Sequence, residues 1–138
     1  MVRSERFSVQ TRGQGDTHDL TRPVAAAFGR SGLRDGILTV FVVGSTAAIT
    51  TIEFESGAVA DFERMLSTLA PYGPDYQHHL RWGDDNGSSH VRAALLGPSV
   101  TVPFTEGRLA LGTWQQVVLV ECDTSARRRD VVVQMVGE

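Results

Sequence analysis

Three of the four histidines in this chain fall inside "HHLRWGDDNGSSH", residues 78–90, together with two aspartates, an Asn-Gly pair and two serines. Two imidazoles on either side of a polar loop can converge on one ion. With an oxygen from Asp84 or Asp85, His78 and His90 would form a mixed nitrogen–oxygen site suited to zinc or manganese. His90 stands just inside an expected helix start, where outward-pointing N–H groups disfavour protonation and leave the ring able to ligate. His79 is expected to point away from His78 on an extended segment. His18 reads as a surface residue.

The same stretch offers anion chemistry. Asn86, Ser88 and Ser89 would place amides and hydroxyls at a helix N-terminus, which is a ready phosphate site. Asp84 and Asp85 would repel a bare phosphate but help if a divalent ion bridged them to it. Arg92, one turn on, could hold an anionic group. The plainer alternative is a capped loop: Ser88 or Ser89 caps the helix and Asn86-Gly87 makes a turn.

Candidates outside the loop are fewer. Glu53 closes an apolar, Thr-rich run and could serve as a general acid or base, or stand in water. Ser45 and Thr46 put two hydroxyls at a strand break, without the glycine pattern of a nucleophile elbow. Glu121 lies in "VVLVEC", where a carboxylate must face solvent or be paired. Trp114 is expected to pack, and Gln115 carries an amide that needs partners if buried. Arg127-Arg128-Arg129 reads as a solvated turn. Cys122, the only cysteine, reads as a small buried hydrophobe.

These residues need a scaffold, and 138 residues suit one domain, 1–138. A net charge of −3 argues against a general nucleic-acid binder. No stretch is apolar enough to span a membrane, and no leader is visible, so a cytoplasmic protein is expected. "RFSVQT" alternates as a strand. "DLTRPVAAAFGRSG" reads as a helix capped by Thr21, with Val24, Ala27 and Phe28 on one face and an end near Gly32. "GILTVFVV" reads as a strand buried on both faces, followed by "AAITTIEFE". "SGAVADFERMLSTLAP" places Val59, Phe62, Met65, Leu66 and Leu69 at helical spacing. "SSHVRAALLGP" is a short helix, and "SVTVPF", "WQQVVLVEC" and "RDVVVQMV" are strands. The order β-α-β-β-α-α-β-β-β implies an α+β fold with a largely antiparallel sheet and helices on one side.

Taken together, "STAAITTIE", "YQHHLRWGDDNGSSHVRAALLGPSVTVPFTEGRLALGTWQQVVLVE" and "RRRDVVVQ" resemble the YjbQ-like family, from about Asp19 to the C-terminus. Members are often labelled secondary thiamine-phosphate synthase enzymes. The resemblance implies a homotrimer with a pocket close to subunit contacts and a weak ability to join a pyrimidine diphosphate to a thiazole phosphate. It assigns His78 and His90 a metal or ligand role and leaves His79 outside the pattern. It matches Asp85, Asn86, Glu53, Trp114, Gln115 and Glu121 to recurrent positions. One departure stands out: many members carry a histidine in a "His-Thr-Thr-Ala" block where this chain has Gly44 in "GSTA". Three hypotheses follow. One is a metal-assisted enzyme acting on phosphorylated small molecules. The second is a trimeric module that binds a phosphorylated metabolite or a metal without turnover. The third is structural, with loop histidines that only shape the trimer.

Overall fold

The computed structural model describes residues 1–138 as two antiparallel sheets with helices on one side of the larger. The strands are β1 (Val2–Gln10), β2 (Thr17–Asp19), β3 (Gly36–Val43), β4 (Ala47–Ile52), β5 (Ser99–Thr105), β6 (Arg108–Leu109), β7 (Gln116–Glu121) and β8 (Arg128–Gly137). The helices are α1 (Thr21–Ser31), α2 (Ser56–Leu69), α3 (His78–Trp82) and α4 (Gly87–Leu96). One sheet runs β1-β8-β3-β5-β6 and the other β2-β7-β4. The α+β class and the longer elements agree with the sequence. The additions are β2, α3 and β6, all too short to show a period.

The core lies between the sheets. Leu38, Val40 and Val42 of β3 and Val131, Val133 and Met135 of β8 face Ile49, Val117 and Leu119 of the small sheet. Helix α1 closes this layer with Val24, Ala27 and Phe28, the last packed on Phe104 at a ring separation of 4.7 Å. On the small sheet's other face, Ala48, Val118, Val120 and Cys122 meet Leu66 of α2 and Leu96 of α4. The small sheet is thus the middle layer and is buried on both faces, which suits the unbroken apolar run of β7.

Several local expectations change. β3 is buried on one face only: Ile37, Phe41 and Val43 are 47, 41 and 47% exposed. Its run is apolar throughout, so periodicity could not distinguish the two cases. Thr21 is the first helical residue of α1 and not its cap. The Asp19 carboxylate accepts its N–H at 2.9 Å, and the Thr21 hydroxyl accepts from Val117 N at 3.0 Å. In α2 only Leu66 of the five spaced apolar residues is fully buried, and Met65 and Leu69 are exposed. Glu55 caps α2, accepting from Gly57 N and Ala58 N, and these bonds hold its carboxyl below the usual range. Cys122 is buried as expected, and burial pushes its thiol up to about 12. No helix is long and apolar enough to cross a membrane.

Candidate functional site

The chain between α2 and α4 builds the histidine cluster. The Tyr76 hydroxyl donates to Pro71 O at 2.6 Å, which folds the segment back on itself. His78 and His79 then lie on α3, not on an extended stretch, so they diverge by a helical step. Gly83 ends α3, its N–H bonded to His79 O. Gly87 opens α4 where no other residue fits, because a Cβ there would lie 2.5 Å from Tyr76 Cβ. That close approach lets α3 fold against the start of α4.

His78 and His90 come together as the sequence suggested, with ring centroids 4.5 Å apart and planes inclined by 38°. His78 Nδ1 lies 3.0 Å from Asp84 Oδ1, which fixes the ring and leaves Nε2 available. The carboxylate at the histidines is therefore that of Asp84. Asp85 turns away and accepts from the Thr124 hydroxyl at 3.2 Å. His79 contributes in a way its spacing did not reveal. Its Nδ1 sits 3.1 Å from Pro74 O, and Gly87 N donates to its Nε2 at 3.2 Å. A carbonyl only accepts and an amide N–H only donates, so the proton sits on Nδ1 and the ring bridges the loop to α4.

The start of α4 is polar and closed. Its cap residue is Asn86, without a side-chain capping bond, and Ser88 and Ser89 lie inside the helix rather than at its cap. Both serines are fully buried, and Asn86 Oδ1, Ser88 Oγ and Ser89 Oγ have no hydrogen-bond partner. Arg92, expected to be free for an anion, is instead buried against α2. It donates from Nε to Ala70 O at 2.9 Å, from Nη1 to Glu63 Oε1 at 2.8 Å and from Nη2 to Ser67 Oγ at 3.4 Å. Its guanidinium lies 3.9 Å from the Tyr72 ring centroid. Burial raises the Tyr72 phenol well above its ordinary value.

Thr46 and Glu121 belong to a second polar cluster, between the sheets. Arg129 donates through Nε and Nη2 to both oxygens of Glu121, and Nη2 also reaches Thr46 O and Oγ1. Glu121 further accepts from Thr11 Oγ1 at 2.6 Å and Asp123 N at 3.0 Å. Thr46 Oγ1 donates to Asp123 Oδ2 at 2.9 Å. Burial would push the Asp123 carboxyl up. Bonds from Thr46 and Thr124 N and the charge of Arg127 outweigh it and hold Asp123 below its ordinary value. The arginine run is therefore not a solvated turn throughout: the Arg129 side chain is 7% exposed and Arg128 72%. A signal for this is present, since Glu121 closes the continuously buried strand β7 and Arg129 falls on the inward-facing register of β8.

Glu53, Trp114 and Gln115 gather elsewhere. Ile52 pairs with Gln116 at one end of the β4–β7 ladder and Ala47 with Glu121 at the other. The two ends are separated by roughly 17 Å at ordinary strand rise. Gln115 bonds Thr51 Oγ1 at 3.3 Å and accepts from Gly112 N at 3.1 Å. Trp114, expected to pack, is 73% exposed, and Glu53, one residue beyond Ile52 at this end of the ladder, is exposed as well. The fold thus divides the candidates between two ends of one ladder.

Two cavities adjoin the histidine end. One, of about 500 Å³, is bounded by Tyr72, Pro74, His79, Asp84, Asp85 and Thr124. The other, of about 390 Å³, is bounded by Gly44, Ser45, Ala47, His90, Ala94 and Pro98. No three His, Cys, Asp or Glu side chains converge as a metal-holding group. Catalytic zinc commonly takes three protein ligands. The chain brings two imidazoles together, and the carboxylate nearest them is bonded to one of the rings.

Residues 5–138 match the family described as UPF0047 protein YjbQ-like. A UPF0047 protein of Methanothermobacter thermautotrophicus is 38% identical over 99% of this chain and 94% of its own length. One from Archaeoglobus fulgidus is 40% identical over 72% of this chain and 77% of its own. Among solved structures, a YbjQ-like protein of unknown function from Sulfolobus solfataricus superposes with a TM-score of 0.93 at 32% identity, covering 100% of this chain and 99% of that one. A hypothetical protein from Aeropyrum pernix gives 0.90 at 32% identity, with 99% of each chain covered.

Proposed function

The chain belongs to the YjbQ-like UPF0047 family, and on that premise we propose that it binds a small phosphorylated molecule at the His78–His90 cluster. The observation that carries this reading is the imidazole pair itself, 4.5 Å apart, with Asp84 orienting His78 and a cavity on the His90 side. The hydroxyls of Ser88 and Ser89 at the start of α4 have no partner, although both residues are fully buried and border neither cavity. Arg92 acts in this reading as the brace that holds α4 on α2.

A homotrimer is part of the proposal. The exposed apolar face carrying Ile37, Phe41 and Val43 supports self-association. Within one chain Glu53, Trp114 and Gln115 stand at the far end of β4, so they reach a histidine pair only if a second copy presents them.

The second reading is metal-assisted transfer, a thiamine-phosphate-synthase-like chemistry. It is favoured by the Asp84–His78 bond, which resembles the carboxylate–imidazole pairing behind many metal ligands. Zinc or manganese would rest on His78 and His90, with remaining positions filled by water or ligand oxygens. Two side chains make an incomplete protein shell for such an ion.

Pyrophosphate titration with and without zinc or manganese, on the wild type and on His78→Ala/His90→Ala, tests both. Binding should weaken about tenfold or more in the double variant, the effect of losing a charge-assisted bond. Unchanged affinity would end the proposal. Stoichiometric metal uptake by the wild type alone, with turnover of a phosphorylated substrate, would establish the second reading over the first.

A further inference from the structure

We infer that the free edge of β1 is a docking groove for an extended acidic peptide, which adds to the larger sheet as a further strand. Neither the histidine pair nor the cavities beside it take part. β1 stands at one end of the order β1-β8-β3-β5-β6, so one side of this strand has no neighbour. Its register shows which backbone groups are left over. Thr11 N donates to Arg127 O and Gly137 N donates to Met1 O, in step with the pairing of Phe7 with Val131. The odd-numbered residues of β1 therefore bond β8. Alternation turns the N–H and C=O groups of Val2, Ser4, Arg6, Ser8 and Gln10 to the open edge. Such an edge is a template for another strand.

A cavity of about 520 Å³ lies along that edge, with Phe7, Ser8, Val9 and Gln10 on one wall and His18, Asp19, Leu20 and Pro23 on the other. Phe7 and Val9 are only partly buried against the core, so an apolar strip is left for an occupant. The opposite wall is stiff, because the buried Asp16 carboxylate holds His18 Nε2 at 2.8 Å and also accepts from Arg12 N. Charge selects the occupant. The chain carries −3 overall, yet Arg6 beside Phe7 and Arg22 beside Pro23 are exposed and have no carboxylate partner. The carboxylates nearby are occupied: Glu5 by Arg30, Asp19 by the N–H of Thr21, and Asp130 by Ser8 and Arg128. A strand laid on β1 sets every second side chain beside Phe7 and Val9, and the others on the side of Arg6. The segment that fits therefore alternates apolar and acidic residues.

A fluorescent synthetic peptide of alternating glutamate and valine, titrated into the full-length protein, tests this by anisotropy, with NMR to locate it. The expected result is saturable binding, with slowed hydrogen exchange at the amides of Ser8 and Gln10. Ser8→Pro removes an edge donor without touching a β1–β8 bond and should weaken binding about tenfold or more. Arg6→Glu, which leaves the backbone alone, should weaken it roughly tenfold. His78→Ala/His90→Ala should leave it intact, which separates this groove from the histidine cluster. No binding at millimolar peptide would overturn the inference. So would equal binding of a lysine–valine peptide, affinity that Arg6→Glu leaves unchanged, or protection confined to residues outside β1. Protection of Ser8 and Gln10 that rises with protein concentration in the absence of peptide would put a second copy on this edge, and the peptide partner would fall.

Discussion

Two polar clusters lie close together in this fold and obey opposite rules. Around Arg129 nearly every buried polar group is matched: Glu121 accepts from Arg129, Thr11 and Asp123, and Thr46 bonds both Arg129 and Asp123. At the start of α4 the buried oxygens of Asn86, Ser88 and Ser89 have no partner. The clusters are linked by one bond, Thr124 to Asp85. A saturated network fixes geometry, and unsatisfied groups in a native fold call for a ligand or another role. By that criterion Thr46, Glu121 and Arg129 hold the scaffold, and the histidine loop is where the proposed ligand would act.

The comparison breaks most visibly at Glu121. Glu121→Ala would leave the Arg129 charge buried without its carboxylate, and the expected loss is about 3–5 kcal/mol of unfolding free energy. Urea denaturation measures it. Replacing both residues with apolar side chains of similar volume should recover most of the loss, since desolvation of the pair is then removed as well. A loss under about 1 kcal/mol for the single variant would mean that the cluster is not a saturated anchor.

Thr46→Val carries a smaller effect, about 1–3 kcal/mol, because it removes one charge-assisted bond from each of Asp123 and Arg129, which keep their other partners, without removing a charge. It also changes the response to acid. Asp123 is held below its ordinary value in the fold, so it contributes stability above the unfolded carboxylate range. That contribution is lost as pH falls through the depressed folded value. Removing the Thr46 donor raises the folded value, and acid unfolding should begin at a higher pH than in the wild type. Identical acid midpoints would show that Thr46 does not tune Asp123.

Much of this was legible in the chain, unevenly. The long strands and helices α1, α2 and α4 follow from period and punctuation, and the approach of His78 to His90 follows from a loop closed by helix ends. The one-sided burial of β3 was hidden because "GILTVFVV" has no polar alternation to report its exposed face. The burial of Arg92 and Arg129 is hidden in the sequence for a shared reason: a long cationic side chain announces charge, while its burial depends on partners distant in sequence. Arg129 meets Thr46 across 83 positions, and Arg92 meets Glu63 across 29. The structural use of His79 depends on a backbone carbonyl and a backbone amide, which no residue type encodes.

The smallest effect is the sharpest test of the contrast. Ser88 lies fully buried in α4 with no partner for its hydroxyl. Ser88→Ala removes that hydroxyl, keeps the Cβ and introduces the strongest helix former, so stability should be unchanged or rise by up to about 1 kcal/mol. Pyrophosphate binding should weaken in the same variant if the hydroxyl serves a ligand. Higher stability with poorer binding is the signature of a residue kept for function at the expense of the fold. Thermal unfolding and titration on one preparation give both numbers. A stability loss above about 1 kcal/mol would show that Ser88 has a partner in solution, and the start of α4 would then join the Arg129 cluster as scaffold.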